Sequence, residues 1–541
     1  MKRKILVIHL LLLVITFNLF SQKLDQPKLV VGIVVDQMRF NDLYRYYDLY
    51  SEKGFKKLLN EGSNFTNAHY NYIPTNTGPG HATIYTGTSP YYHGIINNDF
   101  YDKTLKKVIN CVADPDVESV GSNDEQGKKS PKNLLATTIT DALKLFTNKK
   151  SKVISISVKD RGAILPAGHM ADGVFWYNTK TGDFISSTYY AKDLPEWVKT
   201  FNNLKLADKY LSSDWNLLLD KKFYEINSPD ESPYEPDFFK ERKKSFPHSF
   251  RNLNPEEKYN ALAFTPFIHN ILIELAKSAI KNEKLGKNSV PDFLAISFSS
   301  TDLIGHTWGN YSYELMDTYL RLDRQLADLI EFLDKEIGEK NYLLFLTSDH
   351  GALETPAYLK DNKIPTGELP NSKILDSLKV FTSRSYGTSD LIEFYSYGFI
   401  YLNRNLINQN LLDYYKIERE ISNYLRDVFP EIQTIAFRSE LEKYQASRSG
   451  ENFILNGWHP AKSADIIFTL RPGFLFRFLE HGTTHGSSYT YDTHIPIIFY
   501  GWKIPKQTVN DKIYTVDIAP TIANLLKIAE PNACIGVPLI K

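Results

Sequence analysis

The stretch KLVVGIVVD (residues 28–36) is an almost unbroken apolar run that ends on a carboxylate. Such a run is typical of a strand buried on both faces of a mainly parallel sheet, because a half-exposed strand would alternate apolar and polar residues. Similar apolar runs recur at residues 152–158, 292–300, 342–349 and 496–500. Long connections separate these runs, and they leave room for the helices that join parallel strands.

Helical patterns occupy two of these connections. After Ser312, leucines and other apolar residues recur at helical spacing from Leu315 to Leu333, which predicts a long helix packed on the sheet. After Ser130 and Pro131, an apolar stripe begins at Leu135 and predicts a helix capped by that serine. Alternating strands and helices predict an α/β fold, a three-layer sandwich around a mainly parallel central sheet.

We expect residues 22–541 to form one catalytic domain with two insertions. The segments near residues 172–257 and 354–385 lack a clear strand-helix rhythm and are rich in Pro, Asn and charged residues. The composition also bounds the partners: Lys plus Arg and Asp plus Glu both number 63, so the formal net charge is zero. This balance argues against nucleic acid as the main partner and leaves a small charged substrate open.

The N-terminus has the layout of a secretory signal peptide at residues 1–21. A basic start is followed by an apolar run of 16 residues, 5–20, and then by polar residues. The run is shorter than the roughly 20 residues that span a bilayer, so we expect no stable membrane anchor. The prediction is an exported protein, periplasmic or secreted, and a monomer. Cys111 and Cys534 are the two cysteines, and the sequence leaves their pairing open.

Carboxylates and imidazoles collect where the predicted strands end. Asp36, Asp302 and Asp349 lie at or just past strand ends, where ligands of α/β sheets gather. Three histidines join them in sequence motifs nearby: His306, His350 and His485. Each residue alone has an ordinary alternative, since such an Asp often caps a helix and a lone His is often a core residue. Together, three Asp and three His predict a site for two Zn²⁺ ions.

The stretch IPTNTGPGHATIYTGTSP (residues 73–90) places Thr77 directly before Gly-Pro-Gly. One interpretation is a tight connection, because Gly and Pro punctuate loops in any protein. The other is a nucleophile at the entry to a helix, where unpaired backbone N–H groups and the helix dipole favour an anion.

The order of these motifs resembles the alkaline phosphatase superfamily. It runs from Asp36 through Thr-Gly-Pro-Gly-His, His-Gly-Ile-Ile-x-Asn, Asp-x-x-x-His and Asp-His-Gly to a late Thr-His-Gly. The sequence KDR at residues 159–161 makes the chain similar in particular to the phosphate-irrepressible alkaline phosphatases of the PafA type. The motifs span residues 36–485, and their combination is far more specific than any one of them.

The resemblance implies a function and a role for each motif. It implies an exported, zinc-dependent alkaline phosphatase that hydrolyses small phosphate monoesters through a phosphothreonine intermediate. One zinc would be held by Asp302, His306 and His485, and the other by Asp36, Asp349 and His350. Thr77 would be the nucleophile, and Asn98, Lys159 and Arg161 would hold the phosphoryl oxygens. Lys159 and Arg161 would select monoesters, and an extended backbone there would point both side chains to one face.

Three other interpretations remain. The chain also resembles the phosphodiesterases and nucleotide pyrophosphatases of the same superfamily, in the threonine, the six zinc ligands and the position of Asn98. The pattern of those enzymes lacks the Lys and Arg pair. Sulfatases share the fold, but neither Cys-x-Pro-x-Arg nor Ser-x-Pro-x-Arg occurs here. An exported phosphate- or metal-binding protein without turnover would keep the same ligands.

Overall fold

The computed structural model describes residues 24–540, so the predicted signal peptide lies outside the described residues. A mixed sheet of eleven strands runs through the centre of this part of the chain. The strands, in chain order, are β1 (Leu29–Val35), β2 (Ser63–His69), β3 (Asp99–Asp102), β4 (Lys107–Asn110), β5 (Ser119–Val120), β6 (Val153–Ser157), β7 (Gly173–Tyr177), β8 (Phe184–Ser187), β9 (Asp292–Phe298), β10 (Tyr342–Thr347), β11 (Gly367–Glu368), β12 (Ile392–Ser396), β13 (Phe399–Leu402), β14 (Ile432–Phe437), β15 (Ile466–Leu470), β16 (Phe474–Leu475), β17 (His494–Gly501), β18 (Gln507–Val509) and β19 (Ile513–Tyr514).

The central sheet has the order β18-β2-β17-β10-β1-β9-β6-β7-β8-β5, with β19 also paired to β2. From β10 to β7 all neighbours are parallel, whereas β17 runs antiparallel to β10. Every residue of β1 is buried. Its successive side chains enter opposite cores, with Val31 and Ile33 in one and Val30 and Val34 in the other. The five apolar runs are therefore strands, as predicted.

Helices cover both faces of this sheet. Leu275 and Leu326 pack in one core from two long helices, Phe267–Asn282 and Tyr313–Glu336. Ile84, Ile139 and Ile522 pack in the core on the opposite face. The predicted three-layer α/β sandwich with a mainly parallel sheet is thus confirmed.

The α-helices are Phe40–Arg45, Phe55–Glu61, Thr77–Thr86, Pro90–His93, Ile139–Phe146, Asp160–Ala167, Glu196–Asn203, Leu206–Leu211, Pro255–Leu262, Phe267–Asn282, Ser300–Trp308, Tyr313–Glu336, Pro356–Asp361, Asn371–Tyr386, Arg404–Gln409, Tyr414–Val428, Arg438–Leu441, Phe453–Gly457, Thr490–Thr493 and Ile518–Leu526. The 3₁₀ helices are Tyr47–Leu49, Glu125–Gly127, Lys221–Phe223 and Thr515–Asp517. Within residues 24–540, no helix has both the length and the apolar character needed to cross a membrane.

One of the two helix predictions is confirmed, and the other is wrong in where the helix starts and what caps it. The Ser312 side chain accepts a hydrogen bond from the Leu315 N–H and caps the long helix. Ser130 Oγ accepts from the Lys132 N–H at 3.2 Å, as a cap would, but the chain makes only a turn there. The helix in that region begins later, at Ile139.

A second sheet lies in the C-terminal half of the chain. It has four strands in the order β12-β13-β15-β14 and a hydrophobic core of its own. The helices Asn371–Tyr386 and Tyr414–Val428 contribute Ile374, Leu378 and Ile421 to that core. The expected insertion near residues 354–385 contains the first of these helices, and the one near residues 172–257 contains β7 of the central sheet. The division into one domain with two insertions stays a prediction.

Candidate active site

The predicted site residues meet at one edge of the central sheet. Asp36 directly follows β1, Lys159 lies just past β6, and Asp349 lies just past β10. These strands are parallel, so their carboxyl ends lie at the same edge, and the helix Ser300–Trp308 that follows β9 brings Asp302 there. Because β17 is antiparallel to β10, the loop before β17 reaches this edge too and brings His485.

Asp36, Asp349 and His350 form one candidate metal group. Their ligand atoms all lie within 4.8 Å of one another, and all three side chains are fully buried. His350 Nε2 lies 3.5 Å from Asp36 Oδ1 and 3.7 Å from Asp349 Oδ2. The structure therefore brings together the residues that the resemblance assigns to one zinc.

The second candidate group differs from the predicted set. Asp302, His350 and His485 lie within the same 4.8 Å limit, so His350 belongs to both groups. His306 Nε2 is 3.1 Å from Asp302 Oδ1 but does not complete a group within that limit. The rings of His350 and His485 stack, with centroids 3.6 Å apart. Because one imidazole nitrogen binds one metal ion, His350 can complete only one of the two groups, and either His306 or His350 can serve as the third ligand beside Asp302 and His485.

The three histidines are oriented as metal ligands. In each ring, Nδ1 hydrogen-bonds a backbone carbonyl, which leaves the Nε2 lone pair of the neutral ring facing the carboxylates. The pairs are His306 with Thr483 at 2.7 Å, His350 with Gly351 at 3.0 Å and His485 with Thr75 at 2.7 Å. Burial lowers the pKa of His350 and of His485, which favours the neutral form that binds a metal.

Unpartnered buried atoms also fit a bound cation. Asp36 Oδ1, Asp349 Oδ2 and His350 Nε2 are buried without a hydrogen-bond partner. Burial and the nearby Asp349 raise the pKa of Asp36 well above its usual range. Burial would also raise the pKa of Asp302, but His306 and Lys159 hold it well below its usual range. Buried carboxylates at such close range are stable as anions only beside cations, so this cluster suits divalent metal ions.

Thr77 is the first residue of the helix Thr77–Thr86 and is almost fully buried. Gly78 and Gly80, which follow Thr77, let the first turn of the helix approach the site. A Cβ on Gly80 would lie 2.4 Å from the Asp349 carbonyl oxygen, so only glycine allows this contact. The N–H of Gly78 donates to Asn98 Oδ1 at 2.7 Å, which fixes Asn98 beside the threonine. Thr77 is thus at the entry to a helix, next to the Asp349 group.

Lys159 precedes the helix Asp160–Ala167 and has the expected extended backbone, but Arg161 lies in the first turn of that helix, so the extended continuation expected through Arg161 is wrong. A helix is favoured there because Asp160 stands in its first turn, next to the positive end of the dipole. Lys159 Nζ lies 2.8 Å from Asp36 Oδ2, 2.5 Å from Asp302 Oδ2 and 3.5 Å from Thr77 Oγ1. Arg161 Nη1 lies 3.7 Å from Asp160, and its buried Nε has no partner.

Two residues of the site were missed at the sequence level. Gln37 donates from Nε2 to Asp302 Oδ1 at 2.7 Å and from its backbone N–H to Asp349 Oδ1 at 3.1 Å. His81 lies one helical turn after Thr77, with Nδ1 2.9 Å from the Thr77 carbonyl and 3.3 Å from Asp349 Oδ2. Their sequence signals were weak, since Gln37 is marked only by following Asp36 directly, and His81 only by lying four residues after Thr77.

Replacing Gln37 with alanine is expected to weaken metal binding at the Asp302 group by about tenfold to a hundredfold, because the side chain orients that carboxylate. Alanine tolerates the left-handed backbone at Gln37 (φ 65°) no better than glutamine, so backbone strain should not differ between them. Competition with a zinc-binding dye measures the affinity. Gln325→Ala, which removes a buried glutamine bonded to Pro266 and Asn270, is the control. Equal affinity in Gln37→Ala and the parent would contradict this role.

Residues 30–494 match the family described as type I phosphodiesterase / nucleotide pyrophosphatase. This match contains every residue of the candidate site. The chain belongs to this family, within the alkaline phosphatase superfamily.

Curated relatives of this family member align along nearly its whole length. A Myroides odoratus protein named calcium-transporting ATPase is 43% identical, and the alignment covers 96% of this chain and 95% of that protein. Alkaline phosphatase PhoV of Synechococcus elongatus is 42% identical, and the alignment covers 96% of this chain and 93% of PhoV. Alkaline phosphatase PafA of Elizabethkingia meningoseptica is 38% identical, with 97% of each chain covered.

The crystal structure of wild-type PafA superposes on this family member with a TM-score of 0.90, at 38% identity, covering 95% of this chain and 99% of that one. A PafA variant with a threonine changed to serine, and an asparagine, a lysine and an arginine changed to alanine, matches with the same score. The resemblance to PafA-type alkaline phosphatases is therefore confirmed. The relatives PhoV and PafA support classing this chain as a phosphomonoester hydrolase.

Proposed function

We propose that this protein is an exported alkaline phosphatase that uses two zinc ions and hydrolyses small phosphate monoesters through a phosphothreonine intermediate. The observation that carries the proposal is the position of the Lys159 ammonium. It lies within 3.5 Å of the Thr77 hydroxyl and in ion-pair contact with Asp36 and Asp302, one carboxylate from each metal group. The proposed nucleophile, a cation and the two candidate metal groups thus lie close together among buried residues.

Asp36, Asp349 and His350 would hold one zinc, and Asp302, His306 and His485 would hold the other. Zinc, when bound, would favour the alkoxide of Thr77 and neutralise charge that develops on the phosphoryl oxygens. The donor set of carboxylates and neutral imidazoles is the one that catalytic zinc sites use.

The chain's own residues supply position and charge. Thr77 would attack phosphorus, so that its Oγ1–P bond forms while the bond from phosphorus to the alcohol oxygen breaks. Water would then attack the phosphothreonine and release phosphate, which restores the threonine hydroxyl. Asn98, held by the Gly78 N–H, would donate from its amide to one phosphoryl oxygen. Lys159 and Arg161 would contact the others with charge-assisted hydrogen bonds.

The remaining parts of the proposal rest on the sequence. The N-terminal pattern supports export to the periplasm or the medium, and the neutral net charge supports small phosphate monoesters rather than nucleic acid as partners. We propose a monomer. Cys111 and Cys534 are both free thiols in the described structure.

A phosphodiesterase or nucleotide pyrophosphatase is the second candidate, and the description of the matching family favours it. The two activities differ in the charge of the reacting group. A monoester is close to a dianion at neutral pH, whereas a diester carries one charge and a second organic group. Cations aimed at the phosphoryl group therefore favour the monoester.

Changing both Lys159 and Arg161 to alanine is expected to lower kcat/KM for monoesters far more than for diesters. The loss of one charge-assisted bond costs about tenfold to a hundredfold in rate. Rates with a phosphate monoester and a methyl diester of the same alcohol measure the difference. An equal fall for both substrates, or none for either, would favour the phosphodiesterase.

Two further variants separate substrate contacts from effects on the metal groups. Arg161→Ala removes a cation that contacts neither Asp36 nor Asp302 in the described ion pairs, so metal content should be unchanged. Lys129→Ala is the matched control, because Lys129 pairs with the same Asp160 at 3.3 Å from outside the site. We expect parent-like selectivity from Lys129→Ala.

A further inference from the structure

A cavity of about 580 Å³ lies beside the candidate active site. Its lining includes Asn98 and His485, from the candidate site, and Phe394 and Phe468, from strands of the second sheet. Its size lies within the range of pockets that bind small molecules, roughly 300–1,000 Å³. The cavity therefore connects the site of chemistry with the second sheet.

Aromatic rings form the walls of this cavity. Tyr101 stacks on Phe394 with centroids 4.6 Å apart and planes 7° from parallel, and Tyr401 meets Tyr101 edge-on at 5.1 Å. On another part of the wall, the centroids of Phe468 and Phe476 are 5.8 Å apart. Because these rings already hold one another in place, a bound ring would not have to order them.

The charges of the lining favour an uncharged group. Asp99 and Asp492 contribute carboxylates, and among the described residues that line the cavity there is no Lys or Arg. Lys103 Nζ lies 5.5 Å from the centre of the Tyr401 ring but is not part of the lining. A second phosphate in this cavity would therefore face carboxylates without a cation in the lining, whereas a neutral ring would meet aromatic surface.

We infer that this cavity binds the organic group of the substrate and favours phosphate monoesters of alcohols that carry an aromatic ring. The inference rests on the proposed function, since it takes Thr77 as the nucleophile. In an in-line displacement the alcohol must leave on the side of phosphorus away from Thr77. Asn98 and His485 belong both to the site and to the cavity, so the departing alcohol can extend directly between the aromatic walls.

Ethyl phosphate and 2-phenylethyl phosphate test the inference, because both release a primary alcohol and differ by the ring. We expect the parent to have a kcat/KM about tenfold higher for the phenylethyl ester. Phe476→Ala removes a half-buried wall residue and should lower the rate for the phenylethyl ester about fivefold. Ser396→Trp should fill the cavity and lower that rate further. Neither change should alter the rate for ethyl phosphate by more than about twofold.

Phe381→Ala is the matched control, since Phe381 is a half-buried ring stacked on Tyr424 in the same part of the chain but outside the cavity. It should leave both rates unchanged. Equal losses for both esters in Phe476→Ala, or no ring preference in the parent, would overturn the inference. Binding of 2-phenylethanol, followed by saturation-transfer NMR, tests the cavity without turnover. If neither ester is hydrolysed but the alcohol binds and Ser396→Trp prevents this, the proposed function fails and the cavity assignment stands.

Discussion

Replacing Thr77 with alanine is expected to lower kcat/KM for phosphate monoesters by about a thousandfold or more, because loss of a nucleophile removes the covalent route. Thr77→Ser keeps a hydroxyl at the helix entry and should retain a substantial part of the activity. In the parent, acid quenching during turnover should trap one phosphoryl group on the peptide that contains Thr77. Mass spectrometry of that peptide measures it directly.

Thr86→Ala is the control for this change. Thr86 lies in the same helix, is fully buried and donates from its hydroxyl to the Ala82 carbonyl at 2.7 Å. The two alanine variants therefore lose comparable packing, and a large difference in rate reports chemistry and not stability. If Thr77→Ala works like the parent, the nucleophile lies elsewhere in the chain.

Removal of metal by a chelator is expected to abolish monoester hydrolysis, and added Zn²⁺ should restore it. The metal-free protein should also unfold at a lower temperature, because Asp36, Asp302 and Asp349 would be left at close range in a buried site. Metal analysis of the active protein should find two zinc ions per chain. Full activity in metal-free protein would exclude the zinc mechanism.

Histidine variants separate the two possible ligand sets. If His306 is a ligand together with Asp302 and His485, His306→Ala should bind one zinc per chain. If His350 instead completes the group of Asp302 and His485, His306→Ala should keep two zinc ions and His350→Ala should lose one. His169→Ala is the control, because His169 pairs with Asp141 at 2.9 Å outside both groups. If His306→Ala and His350→Ala each keep two zinc ions, both ligand assignments are contradicted.

The sheet could be predicted because double-sided burial determines its composition. A strand such as β1, covered on both faces, must be apolar at every position, and no distant contact is needed to recognise it. The long helix after Ser312 was predictable for a similar local reason, since its cap and apolar stripe lie within its own residues. The predicted helix start at Ser130 was wrong, since the chain makes only a turn after that residue although its Oγ accepts from the Lys132 N–H. A capping box between Thr138 and Asp141 starts the helix instead, and leaves Leu135 53% exposed.

The candidate site was predictable to the extent that it follows from strand ends. Parallel strands must end at one edge, so Asp36 and Asp349 could be expected to lie close together before any distance was known. The grouping of ligands could not be predicted in this way. The position of His350 within reach of both groups depends on its stacking with His485, whose loop precedes an antiparallel strand.

The sequence by itself therefore determined the α/β class and the set of residues able to hold metal, and it left Thr77 either in a tight connection or at the entry to a helix. These features depend on local pattern and on the direction of parallel strands. Only the tertiary structure decided that Lys159 bridges Asp36 and Asp302, that Gln37 connects the two metal groups, and that an aromatic cavity opens beside Asn98. Each of these depends on side chains from segments far apart in the chain. Their distances are fixed by how the layers pack, and packing leaves no periodic signal in any single segment.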